Sequence, residues 1–188
     1  MVKKLHTELK IPVTCKIRCL KTEAQTLELA KAIEEAGASL LTVHGRLKEH
    51  NKQRMGTCNY AIIKRIKQEL SIPVVANGGI STFEDAQRAL ELTGCDGVMS
   101  SEAILENAAL FSGEVKDMDE LTLEYLDLYE KYPGEGNRSI LRAHLFKFLH
   151  EGLRIHTDLR DRLAKVQEVA DFRAIAEDMQ SRRKDMKP

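Results

Sequence analysis

The sequence predicts an α/β fold with a parallel sheet over residues 1–113, followed by an all-α helical bundle over residues 114–188. Two patterns predict this division. Short apolar runs alternate with helix-forming segments in the first part, and only helical spacing remains in the second. The hydrophobic content of 43% also suffices for packed cores, which argues against a disordered chain.

Four runs predict the strands, because each is short and apolar and most are rich in β-branched residues. They are IPVTCKIR at 11–18, ASLLTVHGR at 38–46, IPVVA at 72–76 and CDGVMS at 95–100.

Helices are predicted between these runs. The capping pattern TEAQ at 22–25 opens a helix that continues to Ala36, and STFE at 81–84 opens another. Helical spacing covers 59–70, and a short helix is expected near 102–107.

Strands that alternate with helices predict right-handed crossovers and a parallel sheet, with functional residues at the carboxyl ends of the strands. A complete (β/α)8 TIM barrel takes roughly 250 residues, so four units correspond to half of one. We expect the missing half to lie upstream. A chain without it would expose unpaired strand edges, through which it could associate.

The second part predicts three or four helices, at about 118–131, 138–156, 158–166 and 170–184. The Pro- and Gly-containing stretch 133–136 separates the first two.

Charge is zero overall, but it is unevenly distributed. From Gly136 onward there are twelve Lys/Arg against eight Asp/Glu, whereas 114–135 contains two against eight. A basic C-terminal end can attract phosphate backbones, although a solvated helical face gives the same count.

Targeting and redox signals are absent from the sequence pattern. No apolar run has the length of a membrane span, and residues 1–10 lack a signal-peptide core, so we expect a soluble cytoplasmic protein, with the nucleus as an alternative. The four cysteines show no paired spacing, which predicts reduced thiols without disulfides or a metal site.

Two glycine- or serine-bearing turns are candidates for an anion site. Asn77-Gly78-Gly79 follows the third strand, where glycines allow backbone N–H groups to approach a phosphate, although a tight turn alone would also need them. Ser101 and Glu102 follow the fourth strand and begin the short helix, where Ser101 could equally be an N-cap.

Charged and imidazole side chains accompany these turns. Lys16 faces the barrel interior if Cys15 and Ile17 face the helices, and an interior ammonium requires an anionic partner. His44 and Arg46 close the second strand at the same end, which favours a cofactor site, although Arg46 could instead bind a loop carboxylate.

Several segments together resemble the second half of tRNA-dihydrouridine synthases, in order and approximate spacing. They are IPVTCKIR, LLTVHGR, IPVVANGGI and GCDGVMSSEAILENAALF. RSILRAHLFKFLH at 138–150 is similar to the helical domain of the eukaryotic branch that modifies D-loop uridines.

The resemblance implies an enzyme that uses FMN, reduced by NADPH, to convert uridine in tRNA to 5,6-dihydrouridine. By that resemblance Lys16 and His44 would contact the flavin ring. Its phosphate would be bound mainly by backbone N–H groups of Asn77, Gly78, Gly79, Ser101 and Glu102. The sequence departs from the family at Glu102, where arginine is frequent.

The proton-donating cysteine of the family lies on an earlier barrel loop, and no Gly-Cys-Pro loop occurs in this chain. The four cysteines present are interpreted as structural, so no catalytic residue is assigned. A non-catalytic fragment that binds tRNA or a protein partner is the alternative.

Contact with tRNA is predicted for Arg46 and for Lys147, His150 and Arg154, whose i, i+3, i+7 spacing places them on one helix face. The opposing interpretation is solubilising charge on an amphipathic bundle.

Overall fold

The computed structural model describes residues 1–49, 57–114, 116–132 and 138–186. The chain divides into two compact units, Met1–Ser100 and Ser101–Pro188. The stretch 133–136 lies outside the described residues.

The first unit is a four-stranded parallel sheet with the spatial order β1-β2-β3-β4. Each connection contains a helix, which confirms the predicted α/β class. Its elements are α1 (Val2–Glu8), β1 (Thr14–Cys19), α2 (Glu23–Glu35), β2 (Leu40–Leu47), α3 (Tyr60–Glu69), β3 (Val74–Asn77), α4 (Phe83–Thr93) and β4 (Gly97–Met99).

Helix α1 is the element that the sequence pattern did not predict. None of its residues is buried. Its two apolar residues, Val2 and Leu5, are too few to form the apolar stripe that predicts an amphipathic helix.

The core of the first unit lies between the sheet and its helices. Leu41 and Val43 of β2 are fully buried, as are Val74 and Ala76 of β3, and they belong to one cluster with the isoleucines of α3. Burial of each Leu, Ile or Val side chain of this kind contributes roughly 1.5–3 kcal/mol. The alternate residues of the strands therefore lie on the other face of the sheet.

Helix α4 begins one residue later than predicted. The hydroxyl of Thr82, not of Ser81, accepts a hydrogen bond from the Asp85 N–H, and the Asp85 carboxylate accepts one from the Thr82 N–H. Asp85 also accepts a hydrogen bond from the Ser81 N–H. The carboxylate at the third helical position is thus that of Asp85 and not of Glu84, because Asp85 is the one that reaches back to the cap.

The second unit contains helices only, among its described residues. They are α5 (Glu102–Glu106), α6 (Met118–Lys131), α7 (Arg138–Phe148), α8 (His150–Ile155), α9 (Thr157–Leu163) and α10 (Val169–Met186). The compact units divide before the predicted boundary at 113/114, because α5 packs against α7 and so belongs with the helices.

The predicted single helix at 138–156 is interrupted at Leu149, whose backbone has φ −90° and ψ 10°. Leu145, Leu149 and Leu153 nevertheless all pack into the same core. The interruption therefore leaves the apolar side of both helices, α7 and α8, directed inward.

The helical core is completed by a buried ion pair near the beginning of α6. Asp119 is only 3% exposed, and its carboxylate accepts a hydrogen bond from Arg183 Nε of α10 at 2.8 Å. Arg183 also binds the carboxylates of Asp117 and Glu120. One guanidinium therefore ties the beginning of α6 to the last part of α10.

No helix within the part of the chain that the structure describes is long and apolar enough to cross a membrane.

Candidate functional site

The strand register places Lys16, Arg18, His44 and Asn77 on the sheet face opposite the helices. Arg18 of β1 aligns with His44 of β2, and His44 aligns with Asn77 of β3. Lys16 lies on the same face one row earlier, because its neighbours Cys15 and Ile17 pack against the helix-side core.

Lys16 departs from its prediction in one respect. Its side chain is exposed rather than buried, because the described residues leave this part of β1 uncovered. The surrounding protein still desolvates the ammonium in part, and Arg18 repels it, so both effects lower the pKa of Lys16. No hydrogen bond or ion pair joins Lys16 to another described residue.

Arg18 was missed by the sequence analysis. Its Nη1 donates to the Leu47 carbonyl at 3.1 Å, at the carboxyl end of β2. Arg18 could have been predicted from its position two residues after Lys16, because alternation along a strand places both side chains on the same face.

His44 lies between Arg18 and Asn77 in the same row of the sheet. Its Nε2 is buried and has no hydrogen-bond partner among the described residues. Burial, then the positive charges of Arg18, Lys16 and Arg46, lower the pKa of His44 to about 4. The imidazole is therefore neutral near pH 7, and its buried Nε2 has a hydrogen-bonding capacity that no described residue satisfies.

The turn at Asn77-Gly78-Gly79 has positive φ angles at both of its glycines. Gly78 and Gly79 have φ of 108° and 71°, a region that favours glycine. A Cβ on Gly78 would also lie 2.8 Å from His44 Cδ2, so the imidazole packs directly against this turn.

The Asn77 side chain has a structural role. It is 4% exposed, and its amide nitrogen donates to the Met99 carbonyl at 2.7 Å, which ties β3 to β4. Any contact of Asn77 with a phosphate would therefore come from its backbone.

Arg46 lines a cleft of about 620 Å³ at the carboxyl ends of β1 and β2. Lys21, Glu23 and Asn59 contribute to the same cleft, which gives it a mixed charge. Arg46 therefore lies near the carboxyl end of β2, and its contact with tRNA stays a prediction.

Ser101 and Glu102 belong to the second unit. Ser101 precedes α5 and makes no side-chain capping hydrogen bond, and Glu102 is the first residue of that helix. Their pairing with the 77–79 turn around one phosphate stays a prediction.

The cysteines are free thiols with structural surroundings. Cys15 and Cys95 belong to the helix-side core, and burial raises the pKa of Cys95. Cys19 donates to the His44 carbonyl, and burial raises the pKa of Cys58 to about 11. A raised pKa disfavours the reactive thiolate.

Acidic side chains accompany the predicted tRNA contacts of the helical unit, of which His150 and Arg154 are exposed and Lys147 is partly exposed. Lys147 Nζ lies 3.8 Å from the Glu106 carboxylate. His150 and Arg154 both lie near Glu151, with nitrogen–oxygen distances of 3.3 and 3.1 Å. Glu151 therefore offsets part of the positive charge of α8.

No group of three or more His, Cys, Asp or Glu side chains among the described residues is placed to hold a metal ion.

Comparison with known proteins identifies the family. The profile described as "Dihydrouridine synthase (Dus)" matches residues 1–186. The chain belongs to the dihydrouridine synthase family. The family resemblance seen in the four strand segments and in 138–150 is thereby confirmed.

Curated members of the family are similar over nearly the whole chain. A mouse protein named tRNA-dihydrouridine(16/17) synthase [NAD(P)(+)]-like is 41% identical over 182 residues, covering 97% of this chain and 38% of its own length. Proteins named tRNA-dihydrouridine(16/17) synthase [NAD(P)(+)] from Schizosaccharomyces pombe and Saccharomyces cerevisiae are 39% and 35% identical, covering 92% of this chain and 46% and 43% of their lengths. The chain spans less than half the length of these dihydrouridine synthases.

Solved structures give a weaker likeness. A mandelate oxidase structure overlaps 69% of this chain and 48% of its own, at 18% identity and a TM-score of 0.38. This TM-score is too low to support an inference about the site.

Proposed function

We propose that this dihydrouridine synthase chain is the C-terminal part of an FMN-dependent enzyme that reduces uridine to 5,6-dihydrouridine in the D-loop of tRNA, with NADPH as reductant. Its first unit would be the second half of a flavin-binding TIM barrel, and its second unit a tRNA-binding helical domain. The curated relatives support the reaction class through their names.

One observation carries the cofactor assignment: the orphaned Nε2 of His44 lies beside a glycine turn on a face that also bears Lys16 and Arg18. A buried polar atom without a partner is costly, and a ligand that bonds to it removes that cost. Two cations on the same face favour an anionic group. These residues fit FMN, which combines a polar ring system with a phosphate.

Each residue has a distinct role in this proposal. Bound FMN would supply hydride transfer to the uracil ring. The Lys16 ammonium would stabilise negative charge on the ring system, and neutral His44 would orient the ring through Nε2. The backbone of the 77–79 turn would hold the phosphate, since positive-φ glycines let N–H groups approach an anion.

The proton donor is assigned to a part of the enzyme outside this chain. The four thiols are engaged in the core or in hydrogen bonds to backbone carbonyls. Burial raises the pKa values of Cys19, Cys58 and Cys95, which disfavours the reactive thiolate at these three. We therefore expect the chain alone to bind FMN without forming dihydrouridine.

Titration with FMN, followed by flavin fluorescence, tests the cofactor site. Lys16→Met should weaken FMN binding by roughly tenfold, because a charge-assisted contact is lost. Lys4→Met, which removes an exposed lysine of α1, is the matched control and should bind as the unaltered chain does. Absence of FMN binding by the unaltered chain would contradict the proposal.

A chain that shifts tRNA in a gel but binds no FMN would instead support the alternative, a non-catalytic fragment that binds tRNA.

The tRNA interface is tested separately through Glu151, which lies against His150 and Arg154. Glu151→Gln should strengthen tRNA binding several-fold at low salt, because it removes a negative charge from a surface that faces phosphates. Arg154→Gln should weaken binding and lower the salt dependence by about one counterion. Glu28→Gln on α2 is the control, and equal affinities for all three variants would remove α8 from the interface.

A further inference from the structure

Three successive backbone carbonyls of the glycine turn face one short segment. The segment is Cys58–Tyr60, which ends at the first residue of α3 and which we call the α3 clamp. The Tyr60 hydroxyl donates to the Gly78 carbonyl at 2.9 Å and lies 3.5 Å from that of Gly79. The Cys58 thiol lies 3.5 Å from the Asn77 carbonyl, within donor range for sulfur.

The direction of these carbonyls determines where the turn presents its amides. All peptide bonds of the described chain are trans, and a trans peptide unit directs its C=O and its N–H to opposite sides. Carbonyls of residues 77–79 that face the α3 clamp therefore direct the N–H groups of residues 78–80 away from it. These N–H groups are the donors that an anion would use.

The α3 clamp is itself anchored on both sides. The Asn59 N–H donates to the Gly45 carbonyl at 2.7 Å, and the Asn59 side chain caps α3 by accepting from the Ile62 N–H at 3.2 Å. A Cβ on Gly45 would lie 2.6 Å from the Cys58 sulfur, so the segment sits directly against the end of β2. Ile62 and Ile63 then fix α3 in the core, where they are 3% and 0% exposed.

We propose that Tyr60, assisted by Cys58, is a positioning residue that orients the 77–79 turn for the phosphate of the flavin. The inference rests on the proposed function and deepens it, because it assigns phosphate selectivity to side chains outside the turn. Tyr60 acts through the backbone of Gly78 and does not touch the ligand.

The test compares two flavins that differ in the phosphate. Tyr60→Phe removes the hydroxyl and keeps the ring. It should weaken FMN binding by roughly fivefold to tenfold, the size expected for one lost hydrogen bond, and change riboflavin binding by less than about twofold. A merely structural role would lower both affinities together or neither. Tyr132→Phe is the control, because Tyr132 is 66% exposed and lies in the other unit.

Cys58→Ala provides a second variant with the same expected direction and a smaller effect, because a thiol is a weak donor. Melting curves for each variant show that the fold is retained. An unchanged ratio of FMN to riboflavin affinity in both variants, with FMN bound by the unaltered chain, would overturn the inference and leave the proposed function standing. Failure of the unaltered chain to bind FMN would overturn both.

Discussion

Acidification should destabilise the first unit chiefly through one residue, His44. The pKa of this imidazole is about 4 in the folded chain, against about 6.5 when it is free in water. As the pH falls below 6.5, the unfolded chain takes up a proton at His44 that the folded chain does not. As far as His44 is concerned, the free energy of unfolding is therefore highest above pH 6.5, and it falls progressively as the pH is lowered toward 4.

The size of this effect follows from the pKa difference. Each pKa unit corresponds to about 1.4 kcal/mol, so the full difference sets a ceiling of roughly 3 kcal/mol. The ring is only partly buried, and solvent reduces the neighbouring charges' effect, so we expect about 1–2 kcal/mol.

Urea unfolding followed by circular dichroism across this pH range measures the effect. His44→Asn should remove most of the pH dependence between 6.5 and 4, because asparagine does not titrate. His150→Asn, at an exposed histidine of α8, should retain it. Salt-bridged carboxylates whose pKa values are lowered in the folded chain, such as those of Glu69, Asp96 and Asp158, add to the loss only below about pH 5. An equal slope in His44→Asn and the unaltered chain would refute the reasoning.

Three further predictions concern the packing, and each is tested by the shift in the urea midpoint of the substituted chain. Leu141→Ala should lower the free energy of unfolding by about 2–5 kcal/mol through a core cavity, while its neighbour Ile140→Ala, 52% exposed, should cost far less; similar losses would contradict the described core. Thr82→Ala should lower the free energy of unfolding by about 1 kcal/mol, because it removes the N-cap of α4, and Ser81→Ala should lower it by only a few tenths of that. A larger loss in Ser81→Ala would show that Ser81 is the N-cap. Arg183→Met should lower the free energy of unfolding by about 1–3 kcal/mol, because the buried Asp119 carboxylate loses the guanidinium that binds it. An unchanged free energy of unfolding would show that the Asp119 carboxylate is solvated.

Local signals predicted the regular elements well. The four strands and the helix at 118–131 were predicted from apolar runs and helical spacing, and the structure contains all of them. Helix α1 was missed because none of its residues is buried, and the interruption at Leu149 was missed because the leucine spacing continues through it. A periodic pattern reports which face is buried, and it does not report a local change in backbone angles.

The candidate site was predictable only in part for the same reason. Alternation along β1 placed Lys16 opposite the helices, and it also carried the signal for Arg18. It could not show that the imidazole of His44 packs on Gly78, or that Tyr60 holds the Gly78 carbonyl. Those contacts join residues far apart in the chain.

The sequence by itself determined the family, the strand and helix order, and the kinds of side chain at the carboxyl ends of the strands, because these depend on local spacing and residue type. Only the tertiary structure decided that the Asn77 side chain bonds β3 to β4, that Lys16 is exposed, and that His44 Nε2 is buried without a partner among the described residues. Burial and hydrogen-bond partners depend on which distant segments pack together, and no local pattern contains that information.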